Sequence, residues 1–336
     1  MSSGEDDINF DLSIPEGARD PQPPSRRRQI LALTGGGYRG LYSASFLELA
    51  ENHFKFRVCD QFDLLIGTSI GGLIAVALAL ETPASVIAAK MVEHGKSIFP
   101  RGVWTKAKQA VFEAPYSAEP LKKAVVDTIG KEKAGLAMNK IDKPLAINAV
   151  NYTYGRPEIF RSRGLAGSDA PDTTVLEAEL ASTAAPTYFP PRNVGGESLI
   201  DGGLIANAPE LLGVSEACEH LNWALDSLYV LAIGTAARRQ GAALAVLGKP
   251  AAFSWVLRRR LFQTTLAAQE ALAESQCLAL LGGHYYRVDK EPAQNQVAAI
   301  RDFDLTSRQA TQTLRSLATE SWKEHLPKTE FRRFFG

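Results

Sequence analysis

The stretch LLIGTSIGG, residues 64–72, decides the fold of this 336-residue chain. Its apolar start leads into a G-x-S-x-G pattern, and the Ala/Leu-rich run Leu73–Leu80 follows. A short apolar run and then a longer one predict a buried strand followed by a helix. The turn between them is so sharp that side chains at Gly67 and Gly71 would clash, and the serine hydroxyl projects above the sheet edge. The pattern predicts Ser69 as a nucleophile, with an ordinary glycine turn as the alternative.

A second glycine turn, GGGYRG at residues 35–40, follows another apolar run, QILALT. One interpretation is an oxyanion hole, in which the backbone N–H groups of Gly35, Gly36 and Gly37 face a reacting carbonyl oxygen. The developing negative charge on that oxygen is then held by donors that the fold has already positioned.

The same turn also fits the dinucleotide-binding fingerprint G-x-G-x-x-G, through Gly35-x-Gly37-x-x-Gly40. That fingerprint requires an acidic residue at the end of the second strand. Asp60 and Asp63 lie at its start, and its end is occupied by the serine turn. A dinucleotide-binding protein therefore stays the weaker alternative.

A general base for the serine is offered by Asp201, in LIDGG at residues 199–203. An aspartate before glycine is common in plain turns, but a strand that delivers it to a glycine turn also makes it a candidate partner of Ser69. Histidine is the usual base, and His220 and His284 fit the chain order Ser, acid, His. A Ser-Asp-His triad in a constitutive esterase or lipase therefore remains open.

Predicted strands alternate with predicted helices, which indicates an α/β fold with a mostly parallel central sheet flanked by helices. We divide the chain into a flexible acidic leader (1–25), a catalytic core (26–240) and a mainly helical C-terminal extension packed on the core (241–336). The longest predicted helix, residues 250–282, lies in that extension.

Composition limits the classes of partner. Lys plus Arg and Asp plus Glu both number 37, so the formal net charge is zero and no DNA or RNA partner is expected. Three scattered cysteines indicate buried thiols rather than disulfides or a metal cluster. The acidic, Pro-rich start has no apolar run, so we expect a cytoplasmic protein without a secretory signal.

Four motifs together resemble the patatin-like phospholipase family: GGGYRG, GTSIGG, ASTAAPTYFPP at 181–191, and LIDGG. The resemblance implies a three-layer patatin-like fold and an acyl hydrolase that cleaves fatty-acyl esters of membrane phospholipids, without a metal or organic cofactor. It further implies a dyad of Ser69 and Asp201 without a catalytic histidine, and an oxyanion loop at Gly35–Gly37 with Arg39 beside it. Thr34 departs from the aspartate that many members carry before the glycines.

Such a dyad makes one physical demand. An aspartate is a weak base unless its pKa is raised. We therefore expect the carboxyl group of Asp201 to be poorly solvated.

The segment ILALTGGGYRGLYSASFLELAE, residues 30–51, is similar to the bacterial phospholipase effectors of antiphage cyclic-oligonucleotide signalling. This resemblance implies activation by a cyclic dinucleotide such as cyclic GMP-AMP, followed by membrane breakdown at the inner face. No residue of the sequence places the nucleotide site. The oligomeric state also stays open, including a dimer or a larger assembly on activation.

Overall fold

A computed structural model describes residues 26–100, 116–169, 171–237 and 261–336 of the chain. In these ranges eight strands form one sheet. The strands are β1 Arg28–Leu33, β2 Leu64–Thr68, β3 Leu145–Asn151, β4 Arg156–Arg161, β5 Arg192–Val194, β6 Glu197–Asp201, β7 Leu228–Ile233 and β8 Tyr285–Val288. Their order across the sheet is β5-β6-β3-β2-β1-β7-β8, and β4 pairs with β3 outside this path.

The central strands run parallel. β1 pairs in parallel with β2 and β7, β2 with β3, and β7 with β8. β4 and β6 pair with β3 in the antiparallel sense, as β5 does with β6. Every residue of β2 is buried, as expected where helices cover both faces of a sheet. The prediction of a mostly parallel sheet flanked by helices is confirmed.

The described helices cover both faces of this sheet. No described helix has the length and hydropathy of a membrane-spanning segment. In chain order they are α1 Gly40–Phe54, α2 Val58–Gln61, α3 Ile70–Ala79, α4 Ala84–Ile98, α5 Ala118–Ile129, α6 Lys131–Ala134, α7 Arg163–Ala166, α8 Val175–Ser182, α9 Gly203–Ala206, α10 Glu210–His220, α11 Leu261–Leu281, α12 Gln294–Ile300, α13 Arg308–His325 and α14 Thr329–Arg332.

Side chains of β1 alternate between two buried clusters, one on each face. Leu31 and Leu33 belong to the larger cluster, which includes residues of α1, α3, α4 and α13. Ile30 and Ala32 belong to the smaller cluster, which includes residues of α10 and α11. Because successive strand residues point to opposite faces, the molecule has three layers: helices, sheet, helices.

Residues beyond 260 contribute to both the sheet and its cover. β8 extends the parallel sheet beside β7, and α13 packs on α1, where the rings of Phe46 and Trp322 lie 5.5 Å apart. The long helix predicted over 250–282 is described as Leu261–Leu281. The acidic leader and the boundary near residue 240 lie outside the described residues, so the threefold division of the chain stays a prediction.

Candidate active site

Ser69 joins β2 to α3 in a strained backbone conformation, with φ 53° and ψ −123°. Positive φ is uncommon for residues other than glycine, and such strain clusters at functional sites. A Cβ atom at Gly67 would lie 2.2 Å from the carbonyl oxygen of Gly71, and one at Gly71 would lie 2.1 Å from that of Leu33. Both positions therefore require glycine, and the turn holds the Ser69 side chain at the carboxyl end of β2.

The structure brings Ser69 and Asp201 together. The Ser69 hydroxyl donates a hydrogen bond to Oδ2 of Asp201 at 2.7 Å, although the residues are 132 positions apart. Asp201 ends β6, which pairs with β3, and β3 lies directly beside β2. The other carboxyl oxygen, Oδ1, accepts the backbone N–H of Gly203 at 2.7 Å. This arrangement orients the carboxylate to accept the serine proton.

Burial sets the basicity of Asp201. The residue is only 4% exposed, and this desolvation raises the pKa of its carboxyl group from 3.8 to about 6, although the hydrogen bonds from Gly203 and Ser69 act in the lowering direction. The expectation of a poorly solvated Asp201 is therefore confirmed. At neutral pH the group is ionised, and it is a stronger base than an exposed aspartate.

Two residues of the glycine loop line the same cavity and have unused backbone N–H groups in the described ranges. Gly36 and Gly37 line this cavity together with Ser69 and Asp201. The N–H of Gly35 donates instead to the carbonyl oxygen of Asn207, at 2.9 Å. Within the part of the chain that the structure describes, the N–H groups of Gly36 and Gly37 have no hydrogen-bond acceptor. Of the three predicted donors, these two remain available to a ligand.

Arg39 is not part of the cavity lining. Its side chain is buried, and its guanidinium carbon lies 4.4 Å from the centre of the Phe303 ring. It is not among the residues that line the cavity. The structure therefore stacks the Arg39 guanidinium on the Phe303 ring and does not bring it to the cavity surface beside Ser69.

The dinucleotide interpretation of the glycine turn finds no support in the structure. A Cβ atom at Gly40 would lie 2.6 Å from the Ile70 side chain, so this glycine lets α1 pack against α3. The carboxylate of Asp63 accepts the backbone N–H of Gln29 at 2.8 Å, at the opposite end of β1 from the glycines. The end of β2, where the fingerprint needs an acid, carries Ser69.

The two histidines considered for a triad lie elsewhere. His220 Nε2 is 3.6 Å from a carboxylate oxygen of Glu216. His284 stacks on Tyr229 with ring centres 4.1 Å apart, next to the amino end of β8. In the described ranges neither histidine lines the cavity or hydrogen-bonds to Ser69 or Asp201. The structure does not assemble the Ser-Asp-His triad.

Two residues that the sequence analysis missed hold the Ser69 turn. The hydroxyl of Ser182 accepts the backbone N–H of Ser69 at 3.0 Å and donates to the carbonyl oxygen of Asn148 at 2.8 Å. The side-chain amide of Asn148 donates to the carbonyl oxygen of Gly202 at 2.9 Å. Both leave a signal in the sequence, because Ser182 lies in the segment 181–191 and Asn148 interrupts an apolar strand.

A third missed group connects α11 to the glycine loop. The side-chain amide of Asn207 donates to Oε1 of Glu270 at 2.5 Å, and it lies 3.4 Å from the carbonyl oxygen of Gly35. The other oxygen of Glu270 lies 3.9 Å from Arg287, which pairs with the fully buried Glu210 at 3.0 Å. Burial raises the pKa of Glu270, and the charge of Arg287 opposes that shift.

The cavity above these groups is apolar. Helices α4 and α5 form one side of it, and α3 and α11 each contribute a leucine. Its large apolar residues are Ile70, Leu73, Met91, Ile98, Phe99, Leu121, Phe189, Leu266 and Phe303. A serine–carboxylate pair at the base of such a cavity can attack a carbonyl carbon attached to a hydrocarbon chain.

Comparison with known proteins agrees with this chemistry. The family model described as "Patatin-like phospholipase" matches residues 31–213, a range that contains both glycine turns, Ser69 and Asp201.

Curated relatives extend the similarity along the chain. A cGAMP-activated phospholipase of Pseudomonas aeruginosa is 33% identical over 320 residues, which cover 91% of each chain. One from Escherichia coli is 30% identical over 317 residues, 86% of each chain. Patatin-17 of Solanum cardiophyllum is 30% identical over 213 residues, 56% of this chain and 52% of that protein. The first two relatives therefore resemble this chain well beyond the region shared with the plant protein.

Proposed function

Because this chain belongs to the patatin-like phospholipase family, we propose that it hydrolyses fatty-acyl esters of membrane phospholipids with Ser69 as nucleophile and Asp201 as general base. The observation that carries the proposal is the 2.7 Å hydrogen bond from the Ser69 hydroxyl to the buried Asp201 carboxylate. Each group is held by a separate part of the fold, the strained turn for the serine and the end of β6 for the acid.

The reaction follows from this pairing. Ser69 Oγ attacks the ester carbonyl carbon while its proton passes to Asp201, and the resulting tetrahedral intermediate carries a negative oxygen. The C–O bond to the leaving alcohol then breaks, Asp201 returns the proton to the lysophospholipid, and an acyl-Ser69 ester remains. A water molecule, deprotonated by the same carboxylate, attacks this ester; the bond from the acyl carbon to Ser69 Oγ then breaks, Asp201 returns the proton to Oγ, and the fatty acid is released.

In this mechanism the N–H groups of Gly36 and Gly37 stabilise the intermediate. Both residues line the cavity beside Ser69, and neither N–H is used within the described structure. Loss of one donor of this kind typically raises the barrier by about 3–4 kcal/mol. The amino end of α3, which begins at Ile70, adds a favourable field for the same negative charge. These steps require no metal or organic cofactor.

The apolar cavity fits the hydrocarbon part of the substrate. Its aromatic and aliphatic residues reach from the dyad to α4 and α5, so an acyl chain enters a water-poor environment, in which the electrostatic interactions of the dyad are strengthened. We infer that the enzyme acts at the inner face of the cytoplasmic membrane.

We also infer that a cyclic dinucleotide of the cyclic GMP-AMP type activates the enzyme, in bacterial defence against phage. The support is the similarity to two cGAMP-activated phospholipases over at least 86% of the chain. The match to Patatin-17 is limited to 56%, which favours a role in control for residues outside the common catalytic region.

The test is fatty-acid release from phospholipid vesicles by the full chain, with and without cyclic GMP-AMP. We expect release only with the dinucleotide. Equal release in both samples would contradict activation by the dinucleotide but would still support the proposed hydrolase activity. No release in either sample, together with no labelling of Ser69 by a fluorophosphonate, would contradict the hydrolase itself.

The pH dependence of the reaction should follow the ionisation of Asp201. Its pKa of about 6 means that the basic form is lost as the pH falls through that value. We expect kcat/KM to rise with pH, with an apparent midpoint near 6, and to level off above pH 7. A profile with its midpoint near the ordinary aspartate value of 3.8 would contradict a desolvated base.

The contact between Glu270 and Asn207 should support the glycine loop. Glu270→Ala removes the acceptor of the Asn207 amide, and we expect a loss of stability of about 1–3 kcal/mol and a roughly tenfold fall in kcat. The matched variant is Glu270→Gln, whose amide oxygen can still accept that hydrogen bond, so it should retain more of both. Urea unfolding and vesicle kinetics measure the two effects, and an alanine variant no worse than the glutamine variant would contradict this role.

A further inference from the structure

A cluster of potential metal ligands lies where α4 packs against α5, outside the Ser69–Asp201 pair. His94 Nε2 lies 3.1 Å from Oδ2 of Asp127 and 3.6 Å from Oε1 of Glu93. The three ligand atoms all lie within 4.8 Å of one another. His94 also lines the apolar cavity, whereas Glu93 and Asp127 do not, so the cluster adjoins the cavity through His94.

The histidine nitrogen is an unsatisfied polar atom. The His94 side chain is only 7% exposed, and although its Nε2 lies 3.1 Å from Oδ2 of Asp127, it has no hydrogen-bond partner in the described ranges. An unsatisfied buried nitrogen destabilises the fold unless some group binds to it. It lies directly beside the two carboxylates, which are themselves ligands for cations.

We propose that His94, Asp127 and Glu93 form a site for a divalent transition-metal ion of the Zn²⁺ type. Zinc–nitrogen and zinc–oxygen bonds of about 2.0–2.1 Å place tetrahedral ligands about 3.3 Å apart. The two distances from His94 Nε2, 3.1 and 3.6 Å, lie on either side of that value. The Glu93 side chain is 55% exposed, so its carboxylate has room to move to the distance that the third ligand of the ion requires.

The donor set selects the class of ion. One imidazole and two carboxylates suit zinc and its transition-metal neighbours, whereas Ca²⁺ and Mg²⁺ prefer sites made of oxygen alone. The protein supplies three ligands, which leaves the fourth tetrahedral position for water or for an oxygen of a ligand in the cavity.

Both carboxylates of the proposed site form ion pairs with lysines. Lys90 pairs with Glu93 at 2.8 Å, and Lys123 pairs with Asp127. The Lys123 side chain is 68% exposed, and pairs of this kind contribute little to stability. A dication can therefore displace both ammonium groups, and its charge replaces theirs. Once bound, it would connect α4 to α5, the two helices that form one side of the cavity.

The test is a titration of the metal-free full chain with Zn²⁺ by calorimetry, repeated with Co²⁺ by visible absorption. We expect one ion per chain and a tetrahedral Co²⁺ spectrum. His94→Gln and Asp127→Asn each remove a ligand and should weaken binding at least as much as the roughly 10–100-fold that loss of an outer-shell partner costs, and Glu93→Gln should weaken it less. The control is His220→Gln, which removes another histidine that lies 3.6 Å from a glutamate and should leave the binding unchanged.

Thermal unfolding provides a readout that does not involve catalysis. Zn²⁺ should raise the melting temperature of the native chain and of His220→Gln, but not that of His94→Gln or Asp127→Asn. Because Asp127 is partly exposed, its variant tests the site even if the His94 variant folds poorly. The proposal is overturned if the native chain binds no Zn²⁺ below millimolar concentration, or if the His94 and His220 variants lose affinity equally.

Discussion

Replacement of Ser69 by alanine is expected to lower kcat for phospholipid hydrolysis by roughly 10⁵-fold or more, the scale seen when a serine nucleophile is removed. The attacking oxygen disappears, and no acyl-enzyme can form. The cavity and the glycine donors remain, so binding of phospholipid should change little. Fatty-acid release from vesicles in the presence of cyclic GMP-AMP measures the first effect, and vesicle sedimentation measures the second.

The alanine variant should fold like the native chain, which makes the result interpretable. Ser69 has φ 53°, and alanine carries about the same strain there as serine. The exposed Ser316, on α13, provides a matched control. The Ser316→Ala variant should keep full activity and should still be labelled at Ser69 by a fluorophosphonate, whereas Ser69→Ala should lose both. A Ser69→Ala variant within about tenfold of native activity would show that another group is the nucleophile.

The sequence alone predicts the parts of this site that depend on local sterics. Gly67 and Gly71 approach neighbouring backbone so closely that no side chain fits. The G-x-S-x-G pattern, with its two glycines four residues apart, therefore predicts the turn directly. The run of buried residues in β2 is equally local. The pairing of Ser69 with Asp201 is long-range, and only the combination of motifs predicts it, not either residue alone.

The sequence does not show which backbone donors are already used. The N–H of Gly35 donates to Asn207, which lies 172 positions away, so the predicted set of three donors becomes Gly36 and Gly37. The order of residues along the chain also does not show whether a histidine lies near Ser69 in the fold. His284 follows the acid as a triad histidine would, but it lies next to the amino end of β8, whereas Ser69 lies at the carboxyl end of β2. Contacts such as Asn207 with Glu270 leave no pattern at all, because each partner looks ordinary in its own helix or turn.

Replacement of Asp201 by asparagine is the second change with a large expected effect. An amide of nearly the same shape can occupy the site, but it cannot accept the proton of Ser69. We expect kcat to fall by roughly 10⁴-fold, the scale seen when the carboxylate of a serine hydrolase triad is converted to its amide. The residual activity of this variant should no longer show the rise of kcat/KM with a midpoint near pH 6. Vesicle hydrolysis across pH 5–9 measures both, and substantial turnover by this variant would refute the dyad.

The same substitution should stabilise the fold, in contrast to its effect on activity. The folded chain holds Asp201 with a pKa of about 6, against 3.8 for the ordinary group, so ionisation is harder in the folded state than in the unfolded state. Below pH 3.8 the carboxyl group is protonated in both states and carries no penalty. The penalty grows between pH 3.8 and 6, and above pH 6 it is constant and on the order of 3 kcal/mol.

Asparagine is neutral at every pH, so Asp201→Asn should unfold at higher urea concentration than the native chain at pH 7.5, and the difference should shrink as the pH falls toward 4. The hydrogen bond from the N–H of Gly203 to Oδ1 can persist, because the amide also offers an oxygen. A variant less stable than the native chain at pH 7.5, or a difference that does not change with pH, would mean that Asp201 is not a desolvated carboxylate. If Asp201 is a base that is kept poorly solvated for catalysis, its replacement by asparagine should raise the stability of the fold and lower turnover.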